Sequence, residues 1–381
     1  MINLLNKDKK YILAISGGAD SVFLFHYLIE NGIKNFVACH VNYNFRKDSN
    51  KDAELVTELC EKNNIELKIL NIEQNYSQLK DNFESWARKV RYDFFCEELI
   101  NQKADAILIA HNLNDHVETY LMQKKNKKTV SYYGIKKETT YKEKKIIRPI
   151  LEFKKSEIVN SLMTKKIDFI TDSTNADLKY ERNKIRANLN ESDFEKYLDE
   201  IFQNNSVLQK YEKQFEIIKD QSFLNLNNIS SDEKWNEYLV FNFLKTKGLE
   251  KEIFFSKKSI LKEIIKQLKT SKSFIEIYKG DFVIIKDYEK MYAINKREYV
   301  FFEINIEEKK KYESILKDNN IDFDGNLLIT NDWKKYQSKI SINGITLSKY
   351  YKDKKVSYIK RQQNILIFDK SKKILLNKIT I

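Results

Sequence analysis

The residues with the clearest chemical potential are Ser16-Gly17-Gly18-Ala19-Asp20-Ser21, which follow an apolar run at 11–15 and open an apolar-periodic stretch at 21–30. Two adjacent glycines let a backbone turn tightly and aim its amides into a concavity that suits an anion. Ser16 and Ser21 add hydroxyl donors, and a helix starting here adds its own unpaired N–H groups. Such a loop is a site for pyrophosphate or a triphosphate tail. It is not the GxxxxGK[ST] loop, whose spacing and lysine are missing, and it is not GxGxxG. Asp20 inside this nest repels phosphate unless a cation stands between them, which assigns it to magnesium. The plain alternative is a polar strand–turn–helix junction with Asp20 as a cap. The chain has only eight glycines, so a Gly-Gly pair stands out.

Holding that loop requires a scaffold, and the flanking pattern supplies one. Residues 11–15, 36–41, 67–72 and 106–110 read as short buried strands. Residues 21–30, 53–63, 83–101 and a stretch from about Asp115 read as helices; Trp86, Val90, Phe94 and Leu99 give one apolar register. Strands alternating with helices predict an α/β domain with a parallel sheet covered by helices on both faces. Ligands in such sheets sit at the carboxyl ends of the strands. Ser16, His40 and His111 fall there.

Beyond residue 190 the pattern turns mostly helical, at 194–220, 231–247 and 257–269, and then shows a hairpin at 274–278 and 282–285. A mixed small region follows, with strands near 327–330, 356–359 and 365–369 and a loop leading into a short helix at 344–351. This predicts a catalytic domain at 1–190, a mostly helical domain at 191–298 and a basic C-terminal domain at 299–381. The chain carries 68 Lys plus Arg against 55 Asp plus Glu, a net +13. Residues 334–381 hold thirteen of those cations and two acids, and residues 119–148 hold ten against two. Blocks this one-sided favour a polyanionic partner over a uniformly lysine-rich surface. Cys39, Cys60 and Cys96 are scattered and lack a CxxC pair, which excludes a disulfide framework, a zinc knuckle and an iron–sulfur site. The first residues are too polar for a signal peptide, and no stretch approaches ~20 apolar residues, so a cytoplasmic protein is expected with no membrane partner.

Strand–SGGxDS–helix resembles the signature of the PP-loop ATP pyrophosphatases, which adenylate an oxygen of their substrate and release pyrophosphate. Within that group, five further blocks resemble the tRNA(Ile)-lysidine synthase family in order. His40-Val41-Asn42-Tyr43-Asn44-Phe45-Arg46 is similar to HVNHxLR, and Ala87-Arg88-Lys89-Val90-Arg91-Tyr92 to ARxxRY. Ala110-His111-Asn112-Leu113-Asn114-Asp115-His116-Val117-Glu118-Thr119 is similar to AHHxxDxxET. Arg148-Pro149-Ile150-Leu151 is similar to RPLL, and Asp172-Ser173-Thr174-Asn175 with Arg182-Asn183-Lys184-Ile185-Arg186 to DxSN…RNxxR. Gly134 resembles the glycine of a GM step, and residues 347–366 resemble the family's C-terminal domain more loosely. Two departures stand out: Asn112 replaces a second histidine, and Lys124-Lys125-Asn126-Lys127-Lys128 replaces arginine and glycines.

The resemblance implies ATP and Mg2+ as cofactors. It also implies adenylation of the carbon-2 oxygen of the wobble cytidine in a CAU-anticodon isoleucine tRNA, then replacement of AMP by free L-lysine. The product, lysidine, shifts codon reading from AUG to AUA. In this frame Ser16, Gly17, Gly18, Ala19, Asp20, Ser21 and Arg88 bind nucleotide. Asp20, Asp115, His111 and Arg91 act in catalysis, with Asp20 on the metal and Asp115 either a second metal ligand or the orienter of His111. His111 contacts the phosphates or the reacting oxygen, and Arg88 and Arg91, three apart on one helical face, neutralise phosphate charge. Capping roles remain the alternatives for His111, Asp115 and Glu118. Arg182, Asn183, Arg186, Lys349, Lys360 and Arg361 are assigned to tRNA, with Tyr350, Tyr351 and Tyr358 as candidate stacking groups or core. A homodimer is also expected. The competing readings are another PP-loop tRNA-modifying adenylating enzyme, or an RNA-binding protein with a dead nucleotide site.

Overall fold

The computed structural model describes residues 5–44, 49–72, 83–126, 130–170, 181–249, 259–298, 300–306, 313–321 and 325–381. The chain forms two compact units, Met1–Lys210 and Tyr211–Ile381.

The first unit is built on a six-stranded sheet in the order β3-β2-β1-β4-β6-β5. Its strands are β1 (Tyr11–Ala14), β2 (Phe36–Asn42), β3 (Leu67–Asn71), β4 (Ala106–Leu108), β5 (Glu138–Tyr141) and β6 (Lys144–Ile147). All neighbours pair parallel except β5, which pairs antiparallel with β6. Side chains alternate across a strand, and β1 shows the result. Leu13 joins a core with Val22, Phe25 and Leu28 of α1 (Ala19–Glu30), Val56 of α2 (Ser49–Lys62) and Ile158 and Leu162 of α5 (Lys155–Thr164). Its neighbour Ile12 faces the other way, onto Tyr92, Phe95 and Leu99 of α3 (Phe83–Asn101). The expected parallel sheet with helices on both faces is therefore present. Helices α4 (Leu113–Lys125) and α6 (Glu181–Ala187) also belong to the unit, and α7 (Phe194–Glu216) starts in it. The hairpin β5–β6 lies inside the basic run at 119–148, where no strands were expected. All three cysteines are buried and free.

In the second unit, β8 (Phe274–Lys279) and β9 (Phe282–Asp287) form the expected hairpin. They are joined by β10 (Lys290–Asn295) and the short β7 (Leu224–Asn225) into a four-stranded sheet. Helices α8 (Glu233–Thr246) and α9 (Ser259–Leu268) agree with the helical spacing. Strands β11 (Glu303–Ile306), β12 (Leu327–Thr330) and β15 (Leu366–Asp369) form an antiparallel sheet, with α10 (Glu313–Asp318) between the first two in sequence and α11 (Trp333–Tyr336) after β12. Val283, Ile285 and Ile294 share one core with Leu328, Trp333, Leu347 and Phe368. The strand expected at 356–359 is absent. Ser357 instead accepts from Lys360 N at 3.4 Å and starts α13 (Tyr358–Gln363). Its buried residues Tyr358 and Gln362 are one helical turn apart. Ahead of α12 (Leu347–Asp353), the loop at 344 is a tight hairpin turn between β13 (Ser341–Ile342) and β14 (Ile345–Thr346). Asn343 and Gly344 have φ of 45° and 82°, the left-handed pair such a turn needs. Among the described residues no helix is long and apolar enough to cross a membrane.

Candidate nucleotide and substrate site

The loop after β1 is tied to itself before it meets a ligand. Ser16 N donates to Ser21 Oγ at 3.1 Å, Gly18 N to Ser16 Oγ at 3.4 Å, and Ser21 Oγ donates to Gly18 O at 2.9 Å. Gly17 has φ +85°, and a Cβ there would also press within 3.4 Å of the Asp52 carbonyl. Gly18 is the N-cap of α1, and among the described residues no side chain caps the amides of Ala19 and Asp20. Ile170 N donates to Gly17 O at 3.0 Å and closes the loop's other side. The result is a backbone nest at a helix amino end, at the carboxyl end of a central strand.

Three carboxylates lie beside it, and each is held. Asp20 receives Lys155 Nζ on both oxygens at 2.9 Å and Asn112 Nδ2 at 2.9 Å. Asn112 is the N-cap of α4: its Oδ1 accepts from Asp115 N at 3.0 Å, and Asp115 Oδ2 accepts from Asn112 N at 3.1 Å. Asp115 also accepts from Arg182 Nη2 at 2.6 Å. Glu118, one turn on and only 1% exposed, accepts from Arg182 Nε at 2.9 Å and Arg186 Nε at 2.8 Å. Burial raises the Asp115 carboxyl above its usual range, and Arg182 opposes that shift. So Asp115 caps α4 and also holds Arg182, and Glu118 anchors α6. The oxygens of Asp20 and Asp115, joined through Asn112, suit a hard cation. Among the described residues no cluster of three His, Cys, Asp or Glu is arranged for a metal. Magnesium is commonly held by one or two carboxylates with phosphates and water completing the shell, so these two residues fit it once a nucleotide is present.

A cavity of about 350 Å³ opens next to this cluster, lined by Arg88, His111, Tyr132, Lys136, Arg148 and Arg182 among others. Arg148 stands just after β6 and is 5% exposed. Its Nε donates to His111 Nδ1 at 2.9 Å, and its Nη1 donates to Lys136 O and Thr139 Oγ1 at 2.8 and 3.0 Å. Burial, then the charges of Arg148, Arg88, Arg182 and Arg91, push His111 down to about 3. With Nδ1 accepting, the neutral ring carries its proton on Nε2. The wall at Gly134 is equally fixed. Gly134 N donates to Gln123 Oε1, Ile135 N to His116 Nδ1, and Tyr133 exchanges hydrogen bonds with Asn205.

Arg88 lies over the Tyr92 ring, 4.6 Å from its centroid, and donates to Tyr92 OH at 3.0 Å. Arg91 Nε is buried and has no hydrogen-bond partner among the described residues. His40 lies within β2, buried, and its Nδ1 donates to Ile15 O at 3.0 Å. Asn183 lies on α6 between Arg182 and Arg186, while residues 172–175 and Arg46 fall outside the described residues. In the second unit Lys349 and Lys360 are exposed on α12 and α13. Arg361 is committed to structure: it donates to Val356 O at 2.8 Å and stacks on Trp333 and Tyr351, 5.4 and 5.3 Å from their centroids. Tyr351 and Tyr358 are core residues. Sequence reasoning gave Lys155 no role and saw in Asn112 only a departure from the family's second histidine; only the fold shows both on Asp20.

Residues 1–192 match the family model described as a PP-loop domain. The chain is 39% identical over 396 residues to the tRNA(Ile)-lysidine synthase of Mycoplasma mycoides, covering 98% of both chains. It is 40% identical over 409 residues to that of Mesoplasma florum, again covering 98% of each. A third relative so named, from Mycoplasmopsis pulmonis, is 36% identical over 76% of this chain and 95% of its own. Ordered motifs, a PP-loop domain and full-length similarity agree: the chain belongs to the tRNA(Ile)-lysidine synthase family.

Proposed function

We propose that this chain is an ATP-dependent ligase that forms lysidine in a CAU-anticodon isoleucine tRNA. The observation that carries the reading is similarity along 98% of the chain to proteins of that name, combined with an open phosphate nest after β1. The carbon-2 oxygen of the wobble cytidine attacks the α-phosphate of ATP, and the bond to pyrophosphate breaks. The amine of L-lysine then attacks carbon-2, AMP leaves with the oxygen, and the amine loses its proton. An anticodon loop presents unpaired bases that can be splayed into such a cavity.

The chain's own groups have distinct parts in this scheme. The amides of Gly17, Ala19 and Asp20 and the Ser16 hydroxyl bind the phosphates, while Ser21 braces the loop through Gly18 O. Asp20 and Asp115 would hold magnesium, which supplies charge neutralisation on the phosphate oxygens. Arg88 and Arg91 would neutralise the charge that develops on the departing pyrophosphate. His111 cannot serve as a base through Nε2, because that nitrogen carries the proton; it donates a hydrogen bond to a phosphate or to the reacting oxygen. Arg182 and Arg186 orient α6, and the exposed Lys349 and Lys360 contact RNA phosphate.

Labelled lysine should enter an isoleucine tRNA transcript with a CAU anticodon in the presence of ATP and magnesium, and not a methionine tRNA transcript with the same anticodon. Release of AMP and pyrophosphate without incorporation would keep the adenylation and remove lysine as the nucleophile. No nucleotide turnover with either RNA would favour a binding protein.

A further inference from the structure

Lys155 places its ammonium 2.9 Å from both oxygens of Asp20. The carboxylate read as a metal ligand thus already carries a cation from the protein. Two features separate this contact from an incidental surface ion pair. Lys155 is the first residue of α5 and follows Lys154 at the cap. A helix amino end is the positive end of its dipole, where acidic residues stabilise and lysines do not. Helix stability therefore gives no reason for lysine here.

The second feature is the contrast between a fixed backbone and a long, partly exposed side chain. Lys155 N donates to Asn114 Oδ1 at 2.9 Å, Ser156 N to Glu191 Oε1 at 3.2 Å, and Asn114 Nδ2 to Glu191 Oε1 at 2.9 Å. Ser156 Oγ also donates to Glu191. These bonds pin the start of α5 to the start of α4. The Lys155 side chain, 40% exposed, extends from that anchor on four methylenes. Asp20 is the second residue of α1, so the ammonium rests one side chain away from the amides that receive phosphate. A compact ammonium on a flexible stem suits phosphate as a point charge.

We propose that Lys155 is a further catalytic residue of this site. While no nucleotide is bound it neutralises Asp20. When the metal and ATP enter, it yields the carboxylate to the metal and moves its ammonium onto the triphosphate. There it balances the charge that builds on the leaving pyrophosphate. This rests on the reading of the loop as an ATP site. The exchange is one of charge partners only, and no bond to Lys155 forms or breaks.

The test compares the full chain with Lys155→Met and Lys155→Arg. Mn2+ binding without nucleotide is followed by the paramagnetic resonance of free Mn2+. Pyrophosphate release is followed in a single turnover with the isoleucine tRNA transcript, and thermal unfolding is recorded beside both. Lys155→Met should bind Mn2+ about fivefold or more tightly, because the competing cation is gone. Its pyrophosphate release should slow by about a hundredfold, and Lys155→Arg should recover most of that rate. Unchanged Mn2+ affinity together with unchanged release would overturn the proposal. So would losses of both that track a lowered unfolding temperature, which would make Lys155 a structural residue. If the parent chain releases no pyrophosphate, the ligase reading fails, and the Mn2+ comparison alone still decides whether Lys155 shields Asp20.

Discussion

Asn112 holds Asp20 through its side-chain amide at 2.9 Å while its carbonyl oxygen caps α4 by accepting from Asp115 N at 3.0 Å. One buried side chain therefore sets both the start of the helix and the direction of the candidate metal ligand. Histidine, the usual residue in related motifs, offers one donor and one acceptor when neutral. Asparagine provides the same pair from a smaller group.

Removing this link should be felt in two ways. Asn112→Ala loses an N-cap, worth about 0.5–2 kcal/mol, and should lower the urea midpoint accordingly. It also frees Asp20 from one of its two restraints, so single-turnover pyrophosphate release should fall by about tenfold or more. A variant with normal release despite the lost stability would show that Asn112 only caps.

Gly134 cannot accept a side chain. Its φ is +78°, and a Cβ would lie 2.5 Å from His116 Cε1, whose ring is fixed by the bond from Ile135 N. Gly134→Ala should destabilise the first unit by about 1–3 kcal/mol. Chemical denaturation followed by tryptophan fluorescence, with tRNA-dependent AMP formation beside it, measures the effect. Nucleotide turnover should fall with it, because Gly134 lines the cavity.

Acid should weaken the fold well before carboxylates titrate. The chain has four histidines, and His26, His40, His111 and His116 are all lowered, first of all by burial. The folded state keeps them neutral, while the unfolded chain takes up protons below about pH 6.5. Their contribution is complete above that pH and declines as the pH falls toward each depressed value. Urea midpoints should therefore drop between pH 7.5 and 5.5, and His111→Gln should make that drop shallower. A flat profile would contradict the neutral assignment.

The basic tail separates into two kinds of cation. Lys349→Ala and Lys360→Ala should each weaken tRNA binding and reduce its salt slope by about one, with little change in unfolding temperature. Arg361→Ala removes stacking on Trp333 and Tyr351 and the bond to Val356 O. It should cost about 1–3 kcal/mol of stability. Filter binding across a salt series, with calorimetric unfolding of each variant, distinguishes the two classes.

Much of the first unit was legible because local signals and global fold agree there. The apolar run 11–15, the Gly-Gly turn and the helical spacing after Ser21 demand a strand, a nest and a helix whatever surrounds them. Strand alternation with helices then fixes a parallel sheet and puts Ser16 and His111 at its carboxyl edge. The segment at 356–359 shows the limit: alternating Val356 and Tyr358 mimic a strand, yet Ser357 caps a helix because Tyr358 and Gln362 are both buried by the surrounding core. Arg361 reads as a free cation in a basic run, but its aromatic partners Trp333 and Tyr351 come from separate helices.

By itself the sequence determined which residues could handle phosphate, which strand and helix present them, and the family whose motifs they match. Only the tertiary structure decided how their charges pair. Lys155 reaches Asp20 across 135 positions, Arg182 reaches Asp115 across 67, and Arg148 reaches His111 across 37. Periodicity and propensity are local along the chain. Coulomb attraction and desolvation act through space, so the partner that sets a side chain's charge, tautomer and freedom to move appears only when the sheet brings distant strand ends together.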